Sequence, residues 1–539
     1  MTPMSRKRRV KCDEVWPICH RCRSTGRICD GYGIWGGGGN AHGSAERVAA
    51  VRRSQAPRHA NSPLGSVPHS LSQLPNLKGA REVLAFDFFW HRTTIKLVGI
   101  FESTFWKSLV LQACLEEPAV LHAVVAAGAA HRKQETLTLQ QYNKAITLLS
   151  RGHDQQDQLA TRLTLTISLI FTCVELLRGD FHAGHLHVQK GLQILGEHLN
   201  DGPINDSSTS YPRRVLKMPD DLTDAQLLEA FLPLNLQADM FGFDYCFSLR
   251  LSSSSTLDTP CKFSSLRQAR LQLLKLLNAI HGLSAQAAWE LSTGAPLSAT
   301  LELLKQDLQF ALLGWQRALY NSRQDLFASA TGSMAREALT CYHLLATLQV
   351  DTSLRGSDEM AFDKHRAVFV AILQRIQILW DMAVAEVGQS IARGVKLTGF
   401  TIDIGFIPPL YFTAIKCRDP ILRRKALHML VDTSHREGTW DGFLVARIAR
   451  HVVRLEEGKF YDTPIDASGG TRIQLPRKAR FNSVRVVPLT QCPGSRMRLV
   501  LRRRDIAEGS RILETICQEI DIANDGPPSD YPIPKRRLT

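Results

Sequence analysis

Between Arg81 and about residue 460 the apolar residues recur at three- and four-residue intervals, and strand-like alternation is nearly absent. Such spacing puts them on one face of a helix, so the body of the chain reads as all-α. Segments 104–115, 118–133, 137–150 and 159–178 carry the pattern first, and 181–198 continues it after Gly179–Asp180. It resumes over roughly 265–292, 298–319, 334–349, 360–393, 420–434 and 441–457. Pro118 suits a first helical position, and Leu121, Val124, Val125 and Ala129 mark one buried stripe. Phe86, Phe88, Phe89 and Trp90 open the body with an aromatic cluster. Residues 201–222 and 252–262, rich in Ser, Pro and Asp, read as loops. Short β-branched runs near 482–489 interrupt the helical pattern without defining a sheet.

A chain of 539 residues exceeds what one compact core holds, so more than one domain is expected. Hydrophobic residues at 44% and charged residues at 22% match a globular protein and exclude a wholly disordered one. The most apolar stretch, Leu163 to Leu177, is interrupted by Thr164, Thr166, Ser168, Thr172 and Glu175. It reads as a buried helix, too short and too polar to span a bilayer, and no membrane is expected. The first thirty residues hold no apolar secretory core, which points to a reducing, intracellular setting. The twelve cysteines are then expected as metal ligands or small hydrophobes rather than disulfides.

The charge of +15 is not evenly spread. Residues 1–60 carry a net +8 and residues 472–539 a net +7, so the stretch between them is neutral. Two basic ends on a neutral body suit a polyanion, and nucleic acid is the usual one. The bland reading is a pair of solvated tails.

Residues 1–35 hold Cys12, Cys19, Cys22 and Cys29, spaced C-x6-C-x2-C-x6-C in a basic segment. With almost no apolar periodicity, that segment needs a metal to fold. Four thiolates satisfy one tetrahedral zinc, and neighbouring cations favour the thiolate form. Residues 36–80, opening with Gly36–Gly39, read as a flexible linker without a heptad pattern. No coiled coil is therefore expected, and dimerisation stays open. Residues 461–539 read as a basic, partly ordered tail.

At Arg6 to Cys29 the chain resembles the fungal binuclear zinc cluster transcription factors, in which six cysteines hold two zincs. The likeness includes Lys11 before Cys12, Asp13 after it, Pro17 two residues ahead of Cys19, and the ending Asp30-Gly31-Tyr32. The family's first two cysteines fall on Thr2 and Ser5 here. Two zincs are implied for a complete module, and one for the four cysteines present; the reading favours a start further upstream that supplies the missing pair. The resemblance implies a short helix in the major groove of double-stranded DNA, with Arg8 and Arg9 at the base edges of a CGG-like triplet. Guanine offers O6 and N7 side by side to such cations. Arg6, Lys7, Lys11, Arg21 and Arg23 would then lie along phosphates and set register. The basic run Arg6–Lys11 also reads as a nuclear import signal.

Residues 81–460 resemble the fungal-specific transcription factor domain that follows many such clusters. Phe88-Phe89-Trp90-His91-Arg92, Glu117-Pro118-Ala119, Tyr142-Asn143-Lys144 and His435-Arg436-Glu437-Gly438-Thr439-Trp440-Asp441 carry the likeness. It implies a nuclear regulator of RNA polymerase II genes, zinc-stapled at one end, whose helical body contacts co-regulators. The competing reading is a helical interaction protein that has lost DNA binding. An enzyme is not expected. His182, His185 and His187 read as ordinary helical histidines rather than a metal site. His435 and Glu437 read as part of a helix-start turn capped by Asp441 rather than an acid–base pair. No phosphate loop, dinucleotide fingerprint or nucleophile elbow is present.

Overall fold

The computed structural model describes Leu77 and, with short breaks, residues 79–521. The described chain is mainly α-helical, as its periodicity requires. α1 (Ala80–Phe88) leads through a π-helical turn into α2 (Thr94–Val98). A second π turn precedes α3 (Val110–Glu116). α4 (Pro118–His131) starts on Pro118 and has Ala119 to Ala130 buried throughout. Small side chains on every face let neighbours approach closely: α1, α5 (Glu135–Gly152) and α6 (Gln158–Arg178) all pack on it. α7 (Phe181–His198) follows, with Asp180 accepting the Ala183 N–H as its cap.

By length and composition, α6 is apolar enough to cross a membrane, which corrects the expectation that this stretch is too short and too polar. Most of it is buried inside the body, and it is the core helix that the expectation also named.

α8 (Leu222–Phe241) has no counterpart in the sequence reading. It is buried on nearly all sides and carries Pro233 within it, so it shows no one-sided stripe. Its first half packs with α1–α7, and Leu236 and Phe241 join a second apolar cluster. That second cluster is built by α9 (Leu266–Thr293), α10 (Ala299–Asn321), α11 (Ala330–Asp351), α12 (Arg366–Val387), α13 (Ile407–Lys416), α14 (Pro420–Asp432) and α15 (Gly442–Glu457). α8 thus belongs to both clusters, and its buried Gln237 side chain donates to the Ile402 carbonyl at 3.0 Å.

Strands are few among the described residues. β1 (Val215–Leu216) and β2 (Arg250–Leu251) form a two-residue parallel pair. β3 (Thr398–Thr401) runs parallel to β4 (Ser434–Glu437), which turns through Gly438 at φ 57° into β5 (Trp440–Asp441). Beyond residue 474 a three-stranded antiparallel meander appears: β6 (Ser483–Pro488), β7 (Arg496–Arg504) and β8 (Leu513–Asp521). The runs near 482–489 therefore do belong to a sheet. Phe481, Val486, Leu499 and Leu501 from this segment are buried in the second cluster.

Candidate functional site

The residues expected to hold zinc (Cys12, Cys19, Cys22 and Cys29) and those expected to meet DNA (Arg6, Lys7, Arg8, Arg9, Lys11, Arg21 and Arg23) lie outside the described residues. Within the described residues, two features stand out: a buried ion network, and a cleft beside an exposed helix.

The network starts at Glu359, in a 3-10 turn (Glu359–His365) ahead of α12. Its carboxylate receives Lys416 Nζ at 2.9 Å, Arg418 Nη1 at 2.8 Å and Arg355 Nη1 at 2.6 Å. Arg418 also reaches Glu456 at 2.9 Å, and Arg423 bridges Glu456 and Glu457. The C-terminal segment enters at the same point. Phe481 N–H donates to Glu456 at 2.8 Å, Lys416 donates to the Asn482 carbonyl at 3.1 Å, and Arg480 grips Asp363 with two bonds of 2.8 and 2.9 Å. Burial opposes ionisation of Glu359, but Lys416, Arg418 and Arg355 outweigh it and hold the carboxyl down to about 2. Burial pulls Lys416 down to about 8 against the attraction of Glu359. Every charge here meets an opposite one, so the arrangement locks elements together rather than presenting a reactive group.

Glu437 lies at the end of β4, fully buried. It accepts the backbone N–H groups of Gly405, Phe406 and Ile407 at 2.8 to 3.1 Å, where α13 begins. Burial pushes this carboxyl up to about 8, with the three donors opposing. The segment 435–441 is a strand pair rather than a helix-start turn throughout, but Asp441 does cap α15, accepting from Phe443 and Leu444 N–H. The three histidines of α7 do not converge. His187 Nε2 bonds the Tyr142 hydroxyl at 2.7 Å, and burial lowers His185 to about 3. No cluster of three potential metal-ligating side chains occurs among the described residues.

The cleft lies between α10 and α11 and measures about 430 Å³. Gln306, Phe310 and Leu313 line one side, and His343, Val350 and Asp351 the other. His343 stacks on Trp315 with 5.2 Å between ring centroids, and its Nε2–H donates to the Leu312 carbonyl at 3.0 Å. Burial lowers the His343 pKa despite that bond, which keeps the ring neutral. The lining is mainly apolar, suited to receiving a hydrophobic side chain. Sequence reading missed both features. The network joins residues more than fifty positions apart, while the exposed apolar residues of α10 were visible as a second stripe on a helix already assigned.

Residues 85–327 match the family described as "Fungal specific transcription factor domain", from α1 to the end of α10 and the turn beyond it. The chain is 24% identical to an aspercryptin biosynthesis cluster-specific transcription regulator of Emericella nidulans, over 88% of this chain and 90% of the relative. It is 28% identical to a transcription regulator of Purpureocillium lilacinum over 42% of this chain and 55% of that one. An uncharacterized transcriptional regulatory protein of Schizosaccharomyces pombe is 28% identical over 24% of this chain and 23% of its own length. No solved structure matches significantly. Together with the mainly helical body, these likenesses support a transcription regulator of the fungal kind.

Proposed function

We propose that this chain is a zinc-dependent, sequence-specific DNA-binding regulator of transcription that works in the nucleus. The match of residues 85–327 to the fungal transcription factor domain carries the reading. The N-terminal segment supplies the chemistry. Cys12, Cys19, Cys22 and Cys29 offer four thiolates, which fit one tetrahedral zinc; a second zinc needs the two further sulfurs that Thr2 and Ser5 do not provide. Bound zinc would fold the basic run into a rigid reader. Arg8 and Arg9 would meet the base edges of a CGG-like triplet, and Arg6, Lys7, Lys11, Arg21 and Arg23 would neutralise phosphates. Affinity would then fall steeply with salt. The regulator class also argues against catalysis, in keeping with the charge-paired network.

Thr2 and Ser5 favour a second reading, a helical regulator that binds protein partners without reading DNA. Full-length protein from zinc-replete cells separates the two by its zinc content and by a gel shift on a CGG-containing duplex. Bound zinc, a specific shift, and a loss of about 1–3 kcal/mol on Arg9→Ala are expected. Metal-free protein that shifts no duplex would leave only the second reading.

A further inference from the structure

The C-terminal meander has two chemically different faces, as the two-residue period of a strand requires. Inward, Val486, Leu499 and Leu501 are buried in the second apolar cluster, and Val484 and Ile516 pack against it. The Gln518 side chain bonds His451 of α15 on that side. Arg503 faces the same way, its guanidinium 5.6 Å from the centre of the Phe481 ring. The residues between these face outward. Val487, Arg498, Thr515, Cys517 and Glu519 are exposed, and Ser483, Arg485, Val500 and Arg502 are half-buried.

Cations dominate the outward face. The register sets Arg498 between Val487 and Glu519, Val500 between Arg485 and Cys517, and Arg502 between Ser483 and Thr515. Arg498 and Arg502 thus stand about 14 Å apart along β7, with Arg485 between their levels on a strand about 4.8 Å away. The one acid among these residues is Glu519, in an exposed pair with Arg498 at 3.1 Å. Such a pair is worth little and yields readily to another anion. Over β6, β7 and β8 together, six arginines meet three acids, a net +3, and lysine does not occur.

A face that is only solvated intersperses both signs of charge. Here one sign prevails, on the segment whose +7 makes up, with the N-terminal +8, the whole charge of the chain. What the face receives follows from its side chains. An anionic membrane asks for aromatic or long apolar side chains beside the cations, and this face offers only valines. Phosphates suit it better. The planar guanidinium grips two phosphate oxygens at once, and the Ser483 and Thr515 hydroxyls flanking Arg502 are ordinary phosphate donors. A three-stranded sheet is too wide for the major groove, which admits a helix or a two-stranded ribbon. Its cations therefore meet the backbone rather than the bases.

We propose that the outward face of the meander is a second DNA contact of the chain, where Arg485, Arg498 and Arg502 neutralise phosphates of a duplex without reading its sequence. The inference rests on the DNA-binding part of the reading above and adds a surface far down the chain from Arg8 and Arg9. A chain already tethered to DNA by its N-terminal segment presents this face at high effective concentration, so weak phosphate contacts suffice. The face adds affinity and salt dependence, and it leaves the choice of sequence to the N-terminal cations.

The zinc-loaded full-length protein, titrated over a salt series with a CGG-containing duplex and a scrambled one of equal length, tests this. Arg498→Gln combined with Arg502→Gln should weaken binding to both duplexes alike, about tenfold at low salt, and make the logarithmic salt slope shallower by about 1.8. The ratio between the duplexes should not move, and circular dichroism should match the wild type. Arg498→Lys combined with Arg502→Lys keeps both charges and should retain the slope, which a merely structural role would not require. A glutamine variant with wild-type affinity and slope, a lysine variant as weak as the glutamine one, or a wild type that binds no duplex overturns the inference. Binding of polyglutamate in place of duplex would mark an acidic protein segment as the occupant. Failure of the sequence-reading role alone looks different: the wild type then binds both duplexes equally, and the glutamine variant still binds them more weakly.

Discussion

Glu359 shows how a single buried carboxylate sets a response to pH. Its folded pKa of about 2 lies below the ordinary 4.5, so the stability it contributes is complete above pH 4.5 and is lost as pH falls through about 2. The difference is on the order of 3 kcal/mol. Urea unfolding midpoints should therefore drop between pH 5 and pH 3. Glu359→Gln should flatten that drop and cost about 3–5 kcal/mol at neutral pH, because Lys416, Arg418 and Arg355 stay buried without their counter-charge. An unchanged midpoint in the variant would refute the network's role. None of this was legible beforehand. The sequence reading placed Glu437 with His435 in a helix-start turn. Its actual contact, the start of α13, exists only because β4 lies alongside a segment thirty residues earlier.

At the scale of elements, helices with a one-sided stripe or a local start signal were readable. Pro118 begins α4, and Asp441 caps α15 as its position suggested. Asp441→Ala should lower the melting free energy by about 1 kcal/mol, read by thermal denaturation. α8 was not readable, since a helix buried on all sides has no polar face to set its period. The meander escaped for the opposite reason. β7 is rich in arginine, and Leu499 and Leu501 alone of its described side chains are buried. Close packing between helices makes a sharper test at Gly128. A Cβ there would lie 2.0 Å from the Ala85 carbonyl oxygen of α1. Alanine gains about 1 kcal/mol of helix propensity over glycine. The clash should outweigh that gain, and Gly128→Ala should destabilise by about 1–3 kcal/mol net. A variant more stable than wild type would mean that α1 shifts freely.

For the whole molecule, the mainly helical body was legible from periodicity, while its short strands and its dependence on residues far down the chain were not. Phe481, Val486, Leu499 and Leu501 fill the second apolar cluster, and Phe481 N–H and Arg480 complete hydrogen bonds of the ion network. Losing a buried side chain of that size costs about 2–5 kcal/mol each. Four together exceed much of the 5–15 kcal/mol that holds a domain folded. A chain stopped after residue 474 should lack a cooperative thermal transition and be cut rapidly by limited proteolysis; a sharp transition in that fragment would contradict this. The consequence reaches genetics. Because the last strands complete the interior of the body, a nonsense allele that stops translation just before them should behave as a recessive null. The cell would clear the shortened product, and no dominant form of the protein would arise from it.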